Sequence, residues 1–165
     1  MKSSSFNAFL AFLLFVVVGC DLGPRLVDET ANQKLWGGYV AGGDYRLIAP
    51  VFLCGFESYR DVVAPNALRP QGFSEVSVPM TVDEYRANPG KWPGTIGVLD
   101  AGTQVRVTHI RIYENIDYQH LSVYADIVSD GSRFNDIVID GISRPVDSEP
   151  DLLGPNLNVI ELVPK

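Results

Sequence analysis

The chain has 165 residues, with 13 basic and 20 acidic side chains and a formal net charge of −7. That length suits one domain with a real core. So acidic a chain lacks the basic footprint that nucleic-acid binding needs, and it is poorly suited to electrostatic adhesion on anionic lipid.

The first predicted element is a secretory signal over residues 1–19. Lys2 supplies a short positive region, a mainly apolar stretch runs from Phe6 to Val18, and Gly19 is a small residue before a cleavage point. The stretch is too short for a lasting membrane-spanning helix, which takes roughly 20 apolar residues. Val17-Val18-Gly19-Cys20 resembles the lipobox of bacterial lipoproteins. The resemblance implies cleavage before Cys20, acylation of its sulfur and new amine, and a domain held at the membrane by those acyl chains. Two chains suffice for stable anchoring, since each buried methylene contributes about 0.8 kcal/mol. In enteric bacteria Asp after the modified Cys goes with retention in the inner membrane, so Asp21 leans the expected location that way, facing the periplasm.

Residues after the signal carry all 20 acidic and 12 of the basic side chains, a net −8. With Cys20 acylated, Cys54 has no disulfide partner. Its neighbours Val51, Phe52, Leu53 and Phe56 predict a buried, inert thiol.

Residues 20–43 read as the acylated Cys and a flexible tether, with Gly23-Pro24, a polar run at 28–34 and two Gly-Gly pairs. A flexible tether of that length would hold the domain roughly 25 Å from the anchor. Trp36 and Tyr39 are out of place in it. They suit either lipid headgroups or docking on the domain as a first short strand.

A single β-rich domain is expected over 44–165. Tyr45 to Leu53 is a strand that Pro50 kinks or confines to an edge. Phe73 to Val78 alternates as a half-buried strand. Thr81-Val82-Asp83-Glu84 is a capping box for one short helix, which Asn88-Pro89-Gly90 stops. Gln104 to Tyr113 is the clearest strand. Val105 and Val107 are apolar at odd positions, Ile110 and Ile112 at even ones. A bulge near Thr108-His109 would keep both pairs on one face. Leu121 to Ile127 alternates cleanly, Asp130-Gly131 turns the chain, and Phe134 to Asp140 is its expected partner. A polar loop follows over 144–155, and Leu157 to Val163 closes the sheet.

These short strands and one helix predict a mainly β fold, a small curved antiparallel sheet or barrel. Residues 97–107 (Gly97 to Val107) resemble the hairpin segments of SH3-like barrels.

Three chemistries find fragments of a site in the chain. Cys54 with His109 or His120 would make a nucleophile and base for an envelope hydrolase, but the local signatures of such enzymes are lacking. His109 and His120, with Asp117 and Asp126 near in sequence, lack a spaced metal-ligand motif. Asp147, Glu149 and Asp151 have calcium-loop spacing, but Pro150, Leu152 and Asn158 break the EF-hand pattern. No cofactor is implied. The expectation is a non-catalytic, lipid-anchored domain that binds a protein partner in the envelope, within an assembly or in neutralising a toxin. A small-ligand or metal carrier is the other alternative. Because bulges favour binding sites, His109, Arg111 and Tyr113 are the expected partner-binding residues. Seven Tyr and two Trp could add to such a surface or serve the core.

Overall fold

The computed structural model describes residues 25–56, 59–65, 79, 81–114, 119–129 and 134–164. The expected signal, Cys20, the strand expected over 73–78 and the turn expected at Asp130-Gly131 lie outside the described residues. The fold is mainly β. Its strands are β1 (Arg25–Asp28), β2 (Asp44–Leu47), β3 (Val51–Phe56), β4 (Tyr59–Val63), β5 (Thr95–Leu99), β6 (Gln104–Glu114), β7 (Gln119–Ile127), β8 (Ile137–Val138), β9 (Ser143–Val146), β10 (Glu149–Pro155) and β11 (Ile160–Leu162). One helix, α1 (Val82–Ala87), stands before β5. Its cap is as expected, since Thr81 Oγ1 accepts the Glu84 N–H at 3.1 Å.

The main sheet has the order β11-β2-β6-β7-β8-β4-β3-β5, with β1 also on β6. Its pairs are antiparallel except β4 with β8. The order is open at β11 and β5, so the sheet curves without closing into a barrel. Pro50 explains much of the curvature. β2 and β3 are one strand broken at 48–50, where proline has no N–H to give the ladder. The opposite chain turns the same corner. Arg46 faces Gln104 before it and Val51 faces Leu99 after it. Leu47 clamps the corner, donating to Thr103 O at 2.9 Å and accepting from Gly102 N–H at 2.7 Å. Residues 97–107 are therefore not a hairpin. β5 and β6 lie on either side of the corner and pair with β3 and β2, which removes the basis of the SH3-like resemblance.

β6 runs through the middle of the sheet. One edge pairs with β7, and the other is shared by β1 on residues 111–114 and β2 on 104–106. The bulge lies between Val107 and His109, with Thr108 the extra residue. Val105, Val107 and Ile110 thus all point into the core with Val123 and Ala125 of β7. The backbone around the bulge stays bonded. Val107 exchanges bonds with Gly42 and Gly43, and Ile110 accepts from Glu29 N–H at 2.9 Å.

The expected tether is corrected by the same pairing. Arg25–Asp28 is a strand of the main sheet, and Trp36 and Tyr39 are each only 5 % exposed. Trp36 Nε1 donates to Thr30 O at 3.0 Å, and Tyr39 stacks edge-on to Tyr45. Burying such side chains contributes on the order of 2 kcal/mol each, which a free tether would forgo. Four residues, 21–24, lie between Cys20 and the start of β1. The expected polar loop at 144–155 is also corrected. It is a hairpin of β9 and β10 that packs on the turn at Gln33–Trp36. Gly37 makes that contact possible, because a Cβ there would lie 2.2 Å from Leu153 O.

Candidate functional site

The bulge re-aims the second half of β6. With Ile110 inward, His109, Arg111 and Tyr113 share the outer face. Cross-strand neighbours extend it. Asp28 and Leu26 of β1 face Arg111 and Tyr113, while Tyr124, Ser122 and His120 of β7 face His109, Arg111 and Tyr113. The three residues expected from sequence therefore do stand on one surface.

The cluster is built on Tyr124. The His109 ring stacks on it at 4.7 Å and 11°, and the Arg111 guanidinium lies over the same ring at 4.8 Å. Asp136 lies beside both side chains. Its Oδ1 is 2.8 Å from His109 Nε2 and its Oδ2 3.2 Å from Arg111 Nη1. Asp136 is held there with a left-handed backbone, φ 58°, and its N–H donates to Asp126 Oδ1 at 2.9 Å. Sequence reading missed this residue, because nothing local ties a loop Asp to a strand 25 positions away.

Thr108 Oγ1, His109 and Asp136 stand in the order of a hydrolase relay, with Thr108 Oγ1 2.9 Å from His109 Nδ1. The contacts do not make it one. Thr108 donates its proton to Tyr124 O at 3.2 Å and has none to give the His109 ring, and Asp136 is not in hydrogen-bond geometry with His109 Nε2. Burial and the Arg111 charge lower the His109 pKa, against the pull of Asp136, Asp28 and Asp126. The imidazole is thus neutral near pH 7. What remains is a rigid patch of aromatic, cation and carboxylate.

Cys54 lies elsewhere. It is on β3, four strands along the sheet from β6 and three from β7. It is fully buried with Phe52 and Val63 under Val82 and Tyr85 of α1, and burial pushes its thiol up to about 11. The nucleophile–base pairing of Cys54 with His109 or His120 is therefore corrected, since no contact brings them together. His120 instead has Nε2 3.1 Å from Asp140 Oδ2, which raises its pKa through that hydrogen bond. Asp140 Oδ1 accepts the Val123 N–H at 2.9 Å.

Sequence reading also missed Asp61. Its side chain is directly across from Cys54 and fully buried. Neither oxygen has a partner in hydrogen-bond geometry, although the Val62 and Gly141 N–H groups are turned toward it. Desolvation foremost, then the Asp140 charge, raises its pKa well above the usual carboxylate range.

Asp147, Glu149 and Asp151 are exposed on the β9–β10 hairpin, and among the described residues no three His, Cys, Asp or Glu cluster as metal ligands. A groove of about 780 Å³ opens between the β6–β7 end and β10, lined by Leu35, Ile112, Leu121 and Leu152 with Gln119 and His120 at its polar side. No described helix is long and apolar enough to cross a membrane. No family model, curated protein or solved structure matches the chain.

Proposed function

We propose that this chain is a bacterial lipoprotein, acylated on Cys20, whose β domain binds a protein partner in the cell envelope and catalyses nothing. The partner is a component of an envelope assembly or a secreted toxin that the domain neutralises. Asp21 favours the inner membrane, facing the periplasm. The observation that carries the reading is Arg111, half-buried on the outer face of the bulged strand β6 and held over the buried Tyr124 ring, on which His109 also stacks. Arg is among the residue types that dominate binding at interfaces, and a guanidinium already held over a ring in mid-sheet has little entropy left to lose.

The test is capture of partners by the tagged lipoprotein after crosslinking in intact cells, compared with Arg111→Ala. Loss of a central interface residue costs about 2 kcal/mol or more, so a specific partner should fall roughly 30-fold in affinity. A partner set unchanged by Arg111→Ala and Tyr124→Phe would remove this face from the account. The groove beside β10 favours a second reading, a small-ligand carrier. Its volume lies within the range of ligand pockets, and aliphatic side chains share its lining with the polar groups of Gln119, His120 and Asp151.

A further inference from the structure

The anchor and the sheet meet at one end of the molecule. β1 starts at Arg25, which faces Glu114 at the end of β6, and Glu114 faces Gln119 at the start of β7. Cys20 is five residues before Arg25. A chain of five residues spans at most about 18 Å. If Cys20 is acylated, this end of the three strands is held next to the bilayer. A tether running to residue 43 would have left the domain free to turn.

The same end carries a row of exposed amphipathic side chains. Leu26 is 51 % exposed and faces Tyr113, which is 38 % exposed and faces His120. Each is one position in from its strand's end. Among the described residues, the charges at this end pair with one another. Glu114 accepts from Arg25 Nε at 2.9 Å and from Gln119 Nε2 at 3.0 Å.

We propose that this row, Leu26–Tyr113–His120, is a second membrane contact that lays the β1–β6–β7 end of the domain on the lipid surface. The proposal rests on the anchor reading above. The partner it fits is the bilayer interface, where tyrosine rings settle at headgroup level and an aliphatic neighbour reaches the acyl boundary. The contact is apolar rather than electrostatic. The domain's net charge of −8 opposes anionic lipid, and Arg25 is already paired. Alone the row is too small to bind a membrane, but anchoring by Cys20 makes its docking intramolecular. Tyr113 thereby separates from the partner-binding residues. Arg111 and His109 stand two and four residues further along β6, about 7 and 14 Å from Tyr113 and away from the lipid. Partners would meet them close above the membrane surface.

The test uses the full chain, purified from membranes and reconstituted into phosphatidylcholine vesicles with brominated acyl chains. Tyr113→Trp adds an emitter at the row, and Leu162→Trp adds one on β11 at an edge of the sheet, paired near the opposite end of β6. The expected result is loss of the added emission at 113 with little loss at 162, unchanged by high salt or by anionic lipid. Emission at 113 that persists while the protein floats with the vesicles would overturn the membrane contact and leave the anchor standing. Equal quenching at both positions would overturn it too. Protein that does not float would overturn the anchor reading, and this proposal with it. Leu26→Trp serves as a second probe of the row if Tyr113→Trp loses cooperative unfolding.

Discussion

Asp61→Asn should remove a pH dependence that the buried carboxyl imposes on stability. In the folded chain Asp61 is desolvated by burial and faces the Asp140 charge, so its pKa stands well above that of an unfolded aspartate, about 3.9. Between those two values the native state holds a proton that the unfolded state has released. Stability therefore falls as pH rises from about 4 through the folded pKa and levels off above it. The slope for one proton is about 1.4 kcal/mol per pH unit. His120 and His109 titrate in opposite senses. The raised pKa of His120 contributes stability below about 6.5 that is lost as pH rises, and the lowered pKa of His109 contributes stability above about 6.5 that is lost as pH falls. Both are common to wild type and variant, so the difference isolates Asp61. The assay is urea unfolding of both proteins at half-unit steps from pH 4.5 to 8. The wild type should lose stability relative to Asp61→Asn as pH rises. Asp61→Leu should gain about 1–3 kcal/mol at pH 8 by removing an unsatisfied buried group. Curves that stay parallel over the whole range would refute the reasoning.

Other substitutions test the packing. The Cys54 thiol, pushed up to about 11, is ionised to about one part in ten thousand at pH 7 and should resist a thiol reagent until urea unfolds the domain. Fast labelling of native protein would contradict its burial. Gly37→Ala places a Cβ 2.2 Å from Leu153 O at φ 53° and should cost about 2 kcal/mol or more, read as a lower urea midpoint. Thr81→Ala removes the cap on Glu84 N–H and should cost about 1 kcal/mol in the same assay.

The parts of this fold that were legible in sequence were those written in local pattern. Val105 and Val107 against Ile110 and Ile112 disclosed a bulge, because a change of parity along one strand needs an extra residue to keep one face inward. Thr81 and Glu84 disclosed a helix start three residues apart. What stayed hidden depends on distant partners. Arg25–Asp28 has too little alternation in four residues to declare itself a strand, and its pairing is with residues 111–114. The 97–107 segment has the look of a hairpin, yet the chain turns a corner there and pairs with β2 and β3 instead. His109 and Arg111 could be placed on an exposed face from parity alone. Asp136, which completes their cluster, reaches them from a loop, and the burial of Asp61 is visible only once β3 and β8 pair on either side of it.

The mass of the N-terminal peptide tests the proposed anchor at Cys20. Protein extracted from membranes and digested should yield a first peptide that begins at Cys20 and carries the mass of its acyl groups. Cys20→Ser should abolish that peptide and leave an uncut precursor. A mature chain that begins at another residue, or a Cys20 peptide of unmodified mass, would contradict the anchor and the membrane-facing geometry that follows from it.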